Sequence, residues 1–393
     1  MRTVGVITVG RSDYGIYRPI LKALQKSSDL ELALFVTGAH TSLEFGRTLS
    51  EIEGDGIPIT EIVEMSLSSD SPAAVSTSMG LGTIGFASAY ARQQPDVLLV
   101  LGDRYEMHAA ALAAVPFKIP IAHIHGGEVT AGAIDEAFRH AITKYSHWHF
   151  ASNQEHADRI VQLGEAPWRV EVTGAPGLDN LHEMPLLSRD VLETRIGLPL
   201  AGGPLLVTYH PVTYQFESTA ERFGELIAAL EVHPGPIVLT KPNADTRSRV
   251  VIQMAEQFVA KHDNAVLVDN LGTEAYFSLM HHASAMVGNS SSGIIEAASF
   301  QLPVVNLGAR QQGRGQSGNV INVTEERGLI SRAIIQATSD SFRSSLAGLK
   351  NVYGDGHAAG RIVSRLSALE ISESLIMKQF YDLPSAGTVR GAA

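Results

Sequence analysis

Short apolar runs alternate with helical patterns along almost the whole chain. In the first half the runs are "TVGVITVG", "ELALFVTG", "ITEIVEM", "DVLLVLGD", "IPIAHIHG" and "HWHFAS". Between them lie "YRPILKALQKS", "SLEFGRTLSEIE" and "EMHAAALAAVPF", where apolar residues recur every three to four positions. Strands apolar on both faces and separated by helices predict a parallel sheet covered on both sides. The stretch "TGAPGLDNLHEMPLLS", around 173–188, is rich in Gly and Pro and reads as a hinge. The rhythm then restarts with "PLLVTYHP", "PIVLTKPN", "NAVLVDN", "SAMVGNSS" and "LPVVNLG". The pattern predicts two doubly wound α/β domains in tandem, over 1–175 and 176–360. The last helical pattern, "GHAAGRIVSRLSAL" onward (about 360–385), is expected to cross back to the first domain, and "PSAGTVRGAA" to fray.

In such sheets ligands bind beyond the carboxyl ends of the strands. Most of the chemically interesting residues follow strands here: "GRSDYG", "TGAH", "GDRYE" and "HGGE" in the first half, then "YHP", "TKPN", "GNSSSG" and "GARQQGR" in the second. Two such sets facing one another would line an interdomain cleft.

Composition narrows the chemistry. With 393 residues the chain has room for two cores, and 45% hydrophobic against 18% charged residues describes a globular protein. A net charge of −11 argues against nonspecific binding to nucleic acid or an anionic membrane, while leaving room for a local basic pocket. No cysteine is present, so disulfides, thiolate zinc sites, iron–sulfur clusters and cysteine nucleophiles are excluded. The start "MRTVGVITVGRSDYG" is too short in its apolar run for a signal peptide, and no run of about 18 apolar residues appears. The expectation is a cytoplasmic protein.

Each motif has a functional and a structural reading. In "MVGNSSSGIIEAA", Ser290, Ser291 and Ser292 offer hydroxyl and N–H donors to a phosphate at a helix start, or merely cap that helix. Glu296, four or five residues into the expected helix, reaches a ribose or stands in solvent. No Gly-Lys-Ser/Thr follows, which disfavours ATP hydrolysis. "GRSDYG" lacks the spaced glycines of a dinucleotide fingerprint; Arg11 there is a phosphate contact or a surface ion pair. Asp103 and Arg104 stand where a strand becomes a helix, so Asp103 is either an N-cap or catalytic. Arg310 and Arg314 suit a cationic clamp on a diphosphate. "HIHGGEVTAGAIDEAFRH" offers His123 and His125 on one strand face as metal ligands or as satisfied core histidines. Glu128, after two glycines, is expected to project from a turn into the cleft. Asp135 and Arg139 share a helix face, as an ion pair or as site residues. Asp103, Glu128 and Asp135 near a diphosphate would suit proton abstraction and return.

Together these motifs resemble the hydrolysing UDP-N-acetylglucosamine 2-epimerase family of the sialic and legionaminic acid branch. The match runs in family order through "GRSDYG", "TGAH", "LGDRYE", "IHGGEVTAGAIDEAFRHAITK", "GNSSSGIIEA" and "GARQQGR", with "HGGE" before "RHAITK" the most specific piece. The resemblance implies the GT-B architecture of two Rossmann-like domains, no metal and no nicotinamide. It implies conversion of UDP-N-acetylglucosamine and water to N-acetylmannosamine and UDP, or the same reaction on UDP-2,4-diacetamido-2,4,6-trideoxyglucose. By motif position it implies Asp103, Glu128 and Asp135 as the acid–base set, Arg104 and Arg139 in support, and His40 and His210 as further active-site positions. Arg11, Ser290, Ser291, Glu296 and Arg310 correspond to nucleotide contacts. It also implies a homodimer or homotetramer. A GT-B glycosyltransferase and a non-catalytic UDP-sugar sensor are the rivals.

Overall fold

The computed structural model describes residues 1–41, 49–67, 71–130, 134–211, 218–242, 248–269 and 271–383. The tail from Pro384 and the "SLEFGRT" part of one helical pattern lie outside the described residues. The described residues fall into two compact units. One comprises Met1–Glu128, Ile134–Asn180 and Gly356–Ala393; the other comprises Val129–Ala133 and Leu181–Asp355.

The first unit holds a sheet of seven strands: β1 (Arg2–Thr8), β2 (Leu30–Thr37), β3 (Ile59–Val63), β4 (Val97–Leu101), β5 (Ile121–Ile124), β6 (Trp148–Ala151) and β7 (Val170–Val172). All pair in parallel, in the order β3-β2-β1-β4-β5-β6-β7. β4, β5 and β6 are buried at every position, which is why they read as continuous apolar runs without alternation. The helix Ala358–Ala368 packs into this unit's core through Ile362 and Leu366, both fully buried. Its first N–H groups, on Ala358 and Ala359, are capped by the two oxygens of Asp179, at 2.9 and 2.6 Å.

The second unit holds six parallel strands: β8 (Leu205–Thr208), β9 (Ile237–Thr240), β10 (Ala265–Val268), β11 (Ala285–Gly288), β12 (Val304–Leu307) and β13 (Val320–Val323), ordered β10-β9-β8-β11-β12-β13. Each unit is thus a doubly wound, Rossmann-like sheet, the α/β class expected. The sequence pattern does not announce β7 or β13. Both are sheet-edge strands of three or four half-exposed residues, too short and too wet for a continuous apolar run.

Strand order locates the chemistry. The order reverses between β1 and β4 in the first unit and between β8 and β11 in the second, and crevices at such switch points receive ligands. The residues after β1 and β4 are Val9–Asp13 and Gly102–Arg104; those after β8 and β11 are Tyr209–His210 and Asn289–Ser292. No helix among the described residues is long and apolar enough to cross a membrane.

Candidate active site

In the first unit the carboxylates sit at the ends of β4 and β5. Asp103 is not the N-cap of the helix that follows; that place belongs to Arg104, whose side chain makes no capping bond. The Asp103 carboxylate is instead ion-paired with Arg139, only 4% exposed, from the helix Asp135–Tyr145. Arg139 also lies 3.6 Å from Glu136. Of the two readings offered for Asp135 and Arg139, an ion pair or site residues, the structure shows Arg139 paired with Asp103 and Glu136, in a part-buried contact between the β4 end and this helix. Arg104 reaches Glu106 with two nitrogens, both at 3.3 Å, and the Glu106 charge holds its guanidinium firmly protonated. Burial, reinforced by the Asp103 charge, pushes the Asp135 carboxyl above its usual range.

Glu128 does not project from its turn. It is buried, accepts from Ser152 Oγ at 2.9 Å and faces His125 Nδ1 at 2.5 Å. Ser152 Oγ lies 2.7 Å from His156 Nδ1, so a serine that donates to Glu128 accepts from His156. Burial keeps His156 below the usual histidine range. The turn depends on unusual backbone. His125 has φ +62°, sparsely populated for a residue with a side chain, and Gly127 has φ +74°. A Cβ on Gly127 would lie 2.2 Å from the His156 carbonyl oxygen, so the second glycine of "HGGE" is what lets the turn bring Glu128 inward.

The two histidines expected on one strand face part company. β5 ends at Ile124, and His125 lies beyond it with its ring on Glu128. His123 is fully buried, with Nε2 2.8 Å from the Gly102 carbonyl oxygen and Nδ1 3.3 Å from Thr143 Oγ1. Burial pushes it down to about 3, so it is a neutral core residue that ties β5 to the β4 end. Among the described residues no three His, Asp or Glu side chains gather as a metal site would require.

Arg11 forms an exposed ion pair with Glu51, at 3.0 Å. His40 is fully buried in the turn after β2, its Nε2 2.9 Å from Thr8 Oγ1, and burial lowers it to about 4.

The second unit builds its strand ends from amides, hydroxyls and main chain. His210 N donates to Asn289 Oδ1 at 2.7 Å and Asn289 Nδ2 donates to the His210 carbonyl at 2.8 Å, so a fully buried amide bridges the switch point. The Asn289 carbonyl accepts from Arg310 at 3.0 Å and from Gln311 at 2.8 Å. Gly288, at φ +137°, allows this close approach: a Cβ there would lie 1.9 Å from the Thr208 carbonyl oxygen. Ser290 Oγ accepts from the Ser292 N–H at 3.3 Å, and the Tyr276 hydroxyl bonds with Thr208, Ser290 and Ser292. Ser291 is the N-cap of a one-turn helix, Ser292–Ile295, without a capping side-chain bond. Glu296 consequently stands at that helix's C-cap, not within a longer helix as expected, because a 3₁₀ turn over Ala297–Phe300 takes over. Arg314 donates to the Val129 carbonyl at 3.2 Å and lines a cavity of about 860 Å³ with Arg222, Asn306 and Glu325. Arg310 is not among that cavity's lining residues, so the two arginines of "GARQQGR" have different neighbours.

Sequence reasoning singled out neither Asp13, Glu106, Ser152 and His156 nor Asn289, Tyr276 and Gln311. Asp13, Glu106, Asn289 and Gln311 lie inside the quoted motifs and Ser152 ends the quoted run "HWHFAS"; His156 and Tyr276 lie outside every quoted stretch.

The sequence profile described as UDP-N-acetylglucosamine 2-epimerase matches residues 22–367. The chain belongs to this family. A UDP-N,N'-diacetylbacillosamine 2-epimerase (hydrolyzing) from Legionella pneumophila is 34% identical over 378 residues, covering 96% of this chain and 99% of its own. A UDP-N-acetylglucosamine 2-epimerase from Neisseria meningitidis is 32% identical over 341 residues, covering 86% and 88%. Among solved structures, the Neisseria meningitidis UDP-GlcNAc 2-epimerase bound to UDP-GlcNAc superposes with a TM-score of 0.81 at 20% identity, over 94% of this chain and all of that one. The fold is accordingly the GT-B class of two Rossmann-like units.

Proposed function

We propose that this protein is a hydrolysing 2-epimerase of a UDP-linked 2-acetamido sugar. The reading is supported by the ends of β4 and β5 and the helix that follows: Asp103 pairs with Arg139, Asp135 feels the Asp103 and Arg104 charges, and Glu128 is buried against His125 and Ser152. In this reading an anti elimination breaks the C2–H bond and the C1–O bond to UDP, leaving a C1=C2 glycal. Water then adds its hydroxyl to C1, and a proton returns to C2 from the opposite face. No carbonyl adjoins C2, so loss of its weakly acidic proton must be coupled to departure of UDP. Carboxylates fit a proton lost and regained at one carbon and an oxocarbenium-like C1. Asp135, its carboxyl raised by burial, is the member suited to holding a proton between the two steps.

The second unit's strand ends serve the nucleotide: Ser290 and Ser291 the phosphates, Glu296 the ribose, and Arg310 the diphosphate charge that grows as UDP leaves. Arg11 is read as a further phosphate contact, exchanging Glu51 for phosphate, and His40 and His210 as further active-site positions. UDP-N-acetylglucosamine is the first substrate reading, with N-acetylmannosamine as product. The longer and closer match to the Legionella pneumophila protein favours a second, the UDP-2,4-diacetamido-2,4,6-trideoxy sugar.

Incubation with each sugar nucleotide, with UDP assay and NMR of the sugar, tests the proposal. UDP with a free 2-epimerised sugar supports it and names the substrate. Transfer only to an added acceptor would mark a glycosyltransferase; tight binding of both sugar nucleotides without turnover would mark a sensor.

A further inference from the structure

Residues 369–383 follow the helix Ala358–Ala368 and lie past residue 367, where the family profile ends. They form a strap along the first unit, held by groups that the proposed chemistry does not use. Leu375 is 2% exposed within that unit's core. Arg169, itself buried, donates to the Ser374 and Leu375 carbonyls at 2.7 and 2.8 Å. Tyr381 N donates to the Gly164 carbonyl at 2.8 Å. Phe380 covers Gly164 so closely that a Cβ there would lie 2.2 Å from its ring.

Between these anchors stands Lys378. Its ammonium donates to the main-chain carbonyls of Lys144 and Ser146, both at 2.7 Å, and to the Glu165 carboxylate at 3.0 Å. An ammonium offers three N–H donors and no acceptor, so three acceptors occupy it fully. Lys144 and Ser146 are the end of the helix Asp135–Tyr145, and the last carbonyls of a helix have no partner within it. The Lys144 side chain turns the other way, to Glu165 at 2.5 Å and the Leu163 carbonyl at 3.2 Å. Lys144, Glu165 and Lys378 thus close a ring around the helix end.

The same helix carries candidate site residues. Asp135, Arg139 and Thr143 are spaced by four and share one face. Arg139 pairs with Asp103 after β4, and Thr143 Oγ1 lies 3.3 Å from Nδ1 of His123 on β5. Lys144 follows Arg139 by five residues, about 7.5 Å along the axis, and a short helix transmits a shift over that distance. We propose that Lys378, by holding the end of this helix, fixes where Asp135 and Arg139 stand against Asp103, and is thereby a positioning residue for turnover. The effect on turnover rests on the epimerase reading; the hold on the helix does not.

Lys378→Met keeps an apolar stem and removes the donors. Hydrogen exchange read by mass spectrometry should then quicken across 135–146 and stay unchanged in the second unit's strands. Wild-type exchange across 135–146 would overturn the proposal. In protein that releases UDP, kcat should fall roughly ten- to a hundredfold, the scale expected of a small misplacement, while UDP affinity by calorimetry stays near wild type. Ile362→Ala, which removes packing from the helix Ala358–Ala368 in the same unit, should leave kcat near wild type. An equal fall in kcat in both variants, or a loss of UDP affinity as large as the fall in kcat, would make Lys378 a general anchor and overturn the positioning role. Should Lys378→Met not fold, Lys378→Gln decides: its amide has two donors for three acceptors, so the same changes should appear in smaller measure. Wild-type exchange and kcat in Lys378→Gln would overturn the proposal. Faster exchange across 135–146 in a protein whose wild type turns over neither sugar nucleotide would leave the hold standing and remove the epimerase reading instead.

Discussion

The two units share one doubly wound plan yet differ at the strand ends beside their switch points. In the first, the residues after β1, β4 and β5 are ionisable and engage one another: Asp13 with Thr8 and His40, Asp103 with Arg139, Glu128 with His125 and Ser152. In the second, the ends of β8 and β11 are joined by an amide, Asn289, which bridges to the His210 main chain and accepts from Arg310 on its carbonyl, while the ionisable pairs Lys241 with Asp269 and Arg222 with Glu325 stand at other strand ends. Proton movement needs groups whose charge can change, whereas a nucleotide that must bind, turn over and leave needs fixed donors. The same fold supplies either, because its loops and not its sheet carry the specificity.

Substitutions that separate proton movement from binding test this contrast most sharply. Asp103→Asn and Glu128→Gln are expected to lower kcat by roughly 10²–10⁴ each while UDP affinity, read by calorimetry, stays within several-fold. Near-wild-type rates in both would dissolve the division of labour. Next in size is a change to the first unit's scaffold alone. Ile362→Ala, fully buried in the helix that completes its core, should cost about 2–5 kcal/mol in urea unfolding. Smaller again is Ser290→Ala, which removes one hydrogen-bonding hydroxyl worth about 0.5–1.5 kcal/mol and should weaken UDP binding by roughly two- to tenfold with kcat less affected. A larger loss in kcat than in binding would place the second unit in the chemistry.

Acid also distinguishes a working group from a structural one. Glu165 is fully buried and faces Lys144 at 2.5 Å, Lys378 at 3.0 Å and His149 at 3.3 Å. Although burial opposes it, these partners together hold the carboxyl down at about 2. A carboxylate depressed on folding stabilises the folded state above its ordinary pKa, near 4.5. That contribution is lost as pH falls from there towards 2. The urea midpoint should therefore drop between pH 5 and 3 in wild type, and less steeply in Glu165→Gln. The smallest expected effect is none: turnover should be unchanged by EDTA, and chelator-sensitive activity restored by zinc would return His123 and His125 to consideration.

The fold was legible because buried parallel strands leave unbroken apolar runs, and the site regions because functional side chains follow such strands. What stayed hidden was pairing across the sheet. Nothing local to "GDRYE" says that Asp103 meets Arg139 from thirty-six positions on, or that Ser152 and His156 after β6 turn Glu128 inward. The alternation of His123 and His125 suggested a shared face, but β5 ends between them and positive φ at His125 breaks the register. Glu296 was misplaced for a related reason: a one-turn helix followed by a 3₁₀ turn carries the same apolar spacing as a longer helix.

The central claim is that the first unit's carboxylates exchange the proton on sugar carbon 2 while UDP departs. Turnover in deuterium oxide, followed by NMR of the released sugar, tests it directly. The predicted result is a 2-epimerised product with deuterium at carbon 2, formed by wild-type protein and not by Glu128→Gln. Release of UDP with the original hydrogen kept at carbon 2 would contradict it.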